Sequence, residues 1–248
     1  MKLIFLDTET SHLQDQDGKF PYNDVVLQLS YIIVDGNTTI VKDVKCNPQH
    51  EISLSCMTAH HITEESVVGL PKVVDTEEYK ILKEYVESGE YTFFAHNAKF
   101  DISVLYNIGI DVKQHCHIVD TLKVARIIHD NIGSHLEMYK LRYLIYKYKL
   151  HLRKQELCEK LGLEYSNTYH EAISDILDLM LYFNYLMKET DNCTLDKLIY
   201  LTENQIELTY VPFGSNINKK FSDLTYNQLS WYAKTDDVDV SYTAKLYL

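Results

Sequence analysis

The chain has 248 residues, 46% hydrophobic and 24% charged, a globular composition with room for one sizeable domain or for one domain and a small module. A net charge of −12 excludes a broad basic coat for nucleic acid, though not an enzyme that gathers cations at a local site. The five cysteines (46, 56, 116, 158 and 193) form no C-x-x-C pair, Asp7 interrupts the N-terminal apolar run too early for a signal peptide, and no run approaches the ~20 residues of a membrane span, so the reading is a reduced, cytoplasmic chain without a membrane.

In chain order, residues 2–7 read as a buried strand and the polar stretch 11–24 as a loop. The β-branched stretch 25–34 predicts a second strand. Asp35-Gly36-Asn37 is a hairpin turn into a third strand over 38–46, and Pro48 ends it. Residues 53–63 predict a short helix with a turn, and 77–87 a helix stopped by Gly89. A fourth strand over 91–95 runs into a helix reaching about 107. A fifth, over 117–119, precedes Asp120 and a helix through 126. Further helices are predicted around 136–147, 154–161 and 168–188. A meander followed by alternating strands and helices implies an α/β fold: a mixed five-stranded sheet flanked by helices. A composition shift near 190–193 divides a main domain, residues 1–189, from a small C-terminal module, residues 193–248, expected to pack on it.

The first strand carries Asp7-Thr8-Glu9. Carboxylates at i and i+2 share a strand face, roughly 6–7 Å apart, where a hard divalent cation is the natural partner. Asp101 lies where the fourth strand gives way to a helix, a position where sites cluster in such sheets. Asp175 borders the apolar stripe of the 168–188 helix and is costly there unless paired or on a metal. Asp178, on the same helix, reads as solvated. Four acids from separate elements concentrate a charge that about two divalent ions would balance, the arrangement that hydrolyses phosphodiesters. His170 lies five residues before Asp175, about 140° around a regular helix, and meets it only from the loop or first turn, which suits a general base near neutral pH. His60, His61, His115 and His117 have no partners at metal spacing and read as packing residues.

Asp7-Thr8-Glu9-Thr10, then His96-Asn97-Ala98-Lys99-Phe100-Asp101, then His170-x-Ala172-x-x-Asp175 resemble, in order and spacing, the three motifs of the DEDD exonucleases in their histidine version. The tyrosine version places tyrosine where this chain has Glu171. Ala59-His60-His61-Ile62-Thr63 and Ile118-Val119-Asp120-Thr121 are secondary echoes. The resemblance covers residues 1–188 and implies an RNase H-like fold. It implies hydrolysis from a 3′ end to release 5′-mononucleotides, with two Mg²⁺ or Mn²⁺ ions on Asp7, Glu9, Asp101 and Asp175 and with His170 as base. It places Thr8, Thr10, Ser11, His12, His96, Asn97, Lys99 and Phe100 around the substrate and Asp120 in support. The partner is a DNA 3′ end, with RNA as the alternative.

The chain departs from the family in informative places. Ser11-His12 replaces the Thr-Gly expected under the terminal base, which should stiffen that loop, and His61 stands where glycine is usual. Residues 212–231 resemble a module appended to exonuclease X-like proteins, with two of its lysines missing. Gln228-Leu229-Ser230-Trp231-Tyr232 is similar to a sliding-clamp pentapeptide, although Leu-x-Trp also serves as module core; docking on a polymerase or clamp is left open. Residues 140–154 (KLRYLIYKYKLHLRK) hold six basic residues and no acid, interleaved with tyrosines 143, 146 and 148. They read either as a phosphate-binding surface with aromatic stacking or as a helix with a solvated basic face. Lys99 and Lys123 are further candidates for phosphate contact.

Overall fold

The computed structural model describes residues 1–15, 17–131, 136, 138–164, 172–189 and 193–248. Strands β1 (Lys2–Thr10), β2 (Val26–Asp35), β3 (Thr38–Lys45), β4 (Thr92–Ala95) and β5 (His117–Asp120) form one sheet in the order β3-β2-β1-β4-β5. β1, β2 and β3 pair antiparallel, whereas β4 and β5 run parallel to β1. The hairpin between β2 and β3 turns on Gly36, whose φ of +59° a side chain would strain.

Helices α1 (Leu54–His60), α2 (Glu64–Val67) and α3 (Glu77–Glu87) lie between β3 and β4, and α4 (Ala98–Asn107) and α5 (Val112–His115) between β4 and β5. After β5 come α6 (Thr121–Asn131), α7 (Leu141–Lys147), α8 (Lys154–Leu161) and α9 (Ala172–Glu189). The C-terminal residues form α10 (Leu195–Glu203), α11 (Tyr226–Tyr232) and α12 (Val238–Leu246). Among the described residues, no helix is long and apolar enough to cross a membrane, and all five cysteines are free thiols.

β1 is central, and its continuous run Leu3-Ile4-Phe5-Leu6 is buried on both faces, as a strand covered by helices on either side requires. Alternation divides that run. Leu3 and Phe5 join Ile32, Phe94 and the apolar sides of α6, α7 and α9; Ile4 and Leu6 join Tyr31, Phe93 and the apolar sides of α3 and α4. Phe5, Phe94 and Phe183 of α9 are in mutual ring contact, 4.8–5.6 Å between centroids, and tie α9 to the sheet. At the end of β1 the register slips: Glu9 opposes Gln28 but Thr10 opposes Val26. The extra residue, Leu27, buries its side chain in a separate apolar cluster with Ile52, Cys56, Ile62 and Val67.

The residues after 193 share the α6–α9 core: Leu198, Leu201, Phe221, Tyr232 and Val240 belong to it. Lys123 on α6 donates to the Thr202 and Asn204 carbonyls and pairs with Asp239 at 3.0 Å, and Arg126 reaches Asp237 at 3.5 Å. Lys123, expected as a phosphate contact, is thus committed to holding α10 and α12. Leu229 and Tyr232 of the clamp-like pentapeptide are 5% and 1% exposed, so two of its apolar side chains are locked in this core.

Candidate active site

Asp7 and Glu9 continue the alternation of Leu3 and Phe5, so both carboxylates emerge on the α9 side of the sheet. Asp175 stands in the first turn of α9, which crosses that face. One carboxylate oxygen from each of Asp7, Glu9 and Asp175 lies within 4.8 Å of the others. Thr8 points the opposite way, toward α4, and Asp101 of that helix meets it there: Asp101 Oδ1 accepts from the Thr8 amide at 3.1 Å and from Thr8 Oγ1 at 2.8 Å. The motif therefore divides its work along the strand. Residues 7 and 9 present carboxylates on one face, and residue 8 anchors the fourth acid from the other. Asp101 is 3% exposed and close enough to raise the Asp7 carboxyl.

The electrostatics agree with this crowding. Burial first, then Asp101, Asp175 and Glu9, hold the Asp7 carboxyl well above the usual carboxylate range. Burial, followed by Asp175 and Asp101, pushes Glu9 up to about 8. Burial raises Asp101 to about 7 despite the Thr8 bonds, and burial with Asp178 raises Asp175 to about 6 against Lys154 and Arg142. No ion pair among the described residues reaches Asp7, Glu9 or Asp101. An all-oxygen, multiply anionic donor set this tight fits a hard divalent ion such as Mg²⁺ or Mn²⁺.

His170, the expected base, and Glu171 lie outside the described residues. The remaining expected residues fall into two groups. Thr8, Thr10 and Ser11 are buried: Thr10 Oγ1 donates to the His12 carbonyl, and the Ser11 amide and carbonyl are bonded to Val25 and Ser53. His96 uses both ring nitrogens inside the protein, Nε2 toward the Tyr139 carbonyl at 3.0 Å and Nδ1 toward Thr121 Oγ1 at 2.9 Å, and burial lowers it to about 4. It is a neutral strut at neutral pH. Phe100 packs edge-on against Phe20. Asn97 and Lys99 are exposed, and His12 is half-buried in an aromatic group with Tyr22 and His50. Asn97 takes a left-handed conformation (φ 69°), and its amide donates to Asp120 Oδ1, which also accepts from Leu122 and Lys123. Asp120 thus clamps the start of α6 to the loop that leads into Asp101.

Two histidines expected to be packing residues acquire specific tasks. The Ile62 amide donates to His60 Nδ1, so the ring proton sits on Nε2 and is donated to the Thr10 carbonyl at 3.1 Å. A buried histidine thereby braces the chain one residue beyond Glu9. His61 adopts φ 60° and caps α1, its amide bonding to Met57. It takes the left-handed turn that glycine would make, at a steric cost.

The expectation that Asp178 is solvated is overturned. Asp178 is 6% exposed, and its Oδ1 lies 2.8 Å from Lys154 Nζ. The contact is ionic more than directional, since that oxygen has no well-aligned hydrogen bond. The signal was legible: Asp178 follows Asp175 by three residues, so both point to the same side of α9. The basic stretch is correspondingly smaller than it looks. Lys154 is interior, and Tyr148 is stacked between His129 and Tyr185 and unavailable to a base. Lys147, Lys149 and Arg153 remain exposed, as does Tyr146.

The sequence pattern of the 3′–5′ exonuclease family matches residues 45–174, just over half of the chain. The chain is 27% identical over 177 residues to a PolC-type DNA polymerase III of Bacillus cereus, and 29% identical over 155 residues to one from Staphylococcus aureus. These alignments cover 69% and 60% of this chain, which spans about a tenth of the length of those relatives. Among solved structures, exonuclease X in complex with 5′ overhanging duplex DNA superposes with a TM-score of 0.54 at 21% identity, covering 81% of this chain and 99% of that one. Cell-death related nuclease 4 does so at 0.50 and 12%, covering 99% and 97%. The mixed sheet with its flanking helices is the RNase H-like fold of these nucleases, and the chain belongs to the 3′–5′ exonuclease family, hydrolases of phosphodiester bonds.

Proposed function

We propose that this chain removes nucleotides from the 3′ end of DNA, with Asp7, Glu9, Asp101 and Asp175 holding two Mg²⁺ or Mn²⁺ ions and His170 acting as general base. The observation that carries the reading is the convergence of Asp7, Glu9 and Asp175 within 4.8 Å, with Asp101 anchored beside them through Thr8. When bound, two such ions lower the pKa of a water and steady the departing 3′ oxygen. The protein's own part is positional. β1 fixes two carboxylates at a strand's i, i+2 spacing, Thr8 fixes the orientation of Asp101, and Asp120 fixes the Asn97 loop. His170, from the segment ahead of α9, takes the proton of the attacking water. Around the substrate, His12, Asn97 and Lys99 present accessible groups, while Thr8, Thr10, Ser11, His96 and Phe100 shape the frame behind them.

DNA is favoured over RNA because the PolC-type relatives are DNA polymerases and the exonuclease X structure contains duplex DNA. A second reading, a proofreading unit working beside a polymerase, rests on the same PolC similarity. The burial of Leu229 and Tyr232 argues against clamp docking through residues 228–232. The test is digestion of 5′-labelled single-stranded DNA, duplex DNA and RNA with Mg²⁺, Mn²⁺ or chelator. A metal-dependent ladder shortening DNA from the 3′ end is expected, and it must vanish in Asp7→Asn. Preferential shortening of RNA would reassign the substrate, and a ladder that persists in Asp7→Asn would refute the site.

A further inference from the structure

We propose that Lys154 is a positioning residue for the ion site: from the start of α8 it tethers Ser174 and neutralises Asp178, fixing the turn of α9 that carries Asp175. This rests on the reading of Asp175 as a metal ligand. Among the described residues Lys154 is the one lysine or arginine in the interior, 7% exposed. An ammonium at such depth is costly unless closely partnered, so its partners identify its task. There are three. Nζ donates to the Ser174 carbonyl at 2.9 Å and to Ser174 Oγ at 2.8 Å, and it lies 2.8 Å from Asp178 Oδ1. Ser174 directly precedes Asp175, and Asp178 follows it by one turn on the same side of the helix. The three contacts therefore bracket Asp175 in sequence and in space.

Charge balance alone does not explain this geometry. A lysine that only offset Asp178 would have no use for the backbone carbonyl and hydroxyl of Ser174, both neutral. Arg142 of α7 already acts on Asp175 and Asp178 as a second cation. Lys154 adds to this a bond to the helix backbone at Ser174, directly beside the ligand. Lys154 also restrains Asp178, which stands close enough to Asp175 to repel it. In the order of the chain, α8 reaches across to α9 and clamps it before α9 presents its acid to β1.

The experiment compares wild type, Lys154→Met, Lys154→Met/Asp178→Asn and Asp175→Asn. Mn²⁺ binding is measured by calorimetry, stability by thermal unfolding, and turnover on a labelled DNA strand as a function of Mg²⁺. Lys154→Met should bind Mn²⁺ about 10–100-fold more weakly and need correspondingly more Mg²⁺ for half-maximal rate, with KM for DNA nearly unchanged. The double variant removes both buried charges, so it should recover thermal stability while Mn²⁺ binding stays weak. Recovery of Mn²⁺ affinity in the double variant would overturn the proposal, reducing Lys154 to charge balance. Wild-type affinity in Lys154→Met would overturn it as well. If Lys154→Met fails to fold, the double variant carries the comparison. Asp175→Asn separates the two levels: undiminished Mn²⁺ binding there refutes the ion-site reading itself, independently of Lys154.

Discussion

Removing divalent metal should make this protein less stable as pH rises, and restoring it should help only at high pH. Glu9, Asp101 and Asp175 have carboxyls raised to about 8, 7 and 6, and Asp7 is higher than usual as well. A carboxyl whose folded pKa exceeds its unfolded one stabilises most below the unfolded value, and that contribution is lost as pH climbs through the folded value. The metal-free protein should thus lose stability between about pH 4.5 and 8. A divalent ion competes with the same protons. For Glu9 alone, going from pH 8 to 5.5 weakens ion binding by about 10²-fold, and Asp101 adds more than 10-fold. At pH 8, ion at 100 times its Kd contributes about 2.7 kcal/mol. For 248 residues the unfolding entropy is about 0.5 kcal/mol per degree, so the Tm should rise by about 5 °C. The same concentration at pH 5.5 should shift it by under 1 °C, because the ion then falls below its weakened Kd. Thermal unfolding by circular dichroism, with chelator or Mg²⁺ at both pH values, reads all four numbers. An Mg²⁺ shift independent of pH, or one retained in Asp7→Asn, would refute the carboxylate cluster as the cation site.

Three further outcomes follow. His170→Ala should lose turnover by about 10²-fold or more while Mn²⁺ binding by calorimetry is unchanged; lost Mn²⁺ binding would make His170 a ligand instead of a base. Replacing Lys147, Lys149 and Arg153 with alanine should flatten the slope of log affinity for single-stranded DNA against log salt by about 2, as expected for three phosphate contacts, and an unchanged slope returns them to solvent. His61→Gly should raise stability in urea titration by about 0.5 kcal/mol, the left-handed penalty of about 1–2 kcal/mol being partly offset by the greater freedom of glycine in the unfolded chain. A loss of stability would mean that the His61 side chain holds the turn.

The sequence was most legible where periodicity and chemistry coincide. The five strands and the helix over 77–87 stand close to their expected limits because alternation, turn residues and Gly89 mark them locally. Asp7, Glu9 and Asp175 were legible for a related reason, since a carboxylate on an apolar element needs a partner and few partners are available. The misplacements share one cause. Lys123, Lys154 and Asp178 look locally like solvated or substrate-facing charges, yet each is partnered across a distance that no local window spans: Lys123 with Asp239, Lys154 with Asp178. Nothing in the stretch 140–154 distinguishes its one interior lysine from its exposed ones. Likewise His60 became a brace only when the chain returned Thr10 to it, fifty residues away.

The slipped register at the end of β1 has a consequence for how this family can vary. Up to Glu9 the strand is locked to β2 residue by residue, so the spacing of the two carboxylates is set by the peptide backbone itself. Beyond Glu9 the extra residue Leu27 absorbs the mismatch into its own apolar cluster, and His60 holds the chain from the side. Positions 11 and 12 can therefore exchange a flexible pair for Ser11-His12 without transmitting the change back to Asp7 and Glu9. The irregularity works as an expansion joint: it lets the segment beyond the strand be rewritten while the spacing of the acids is left alone.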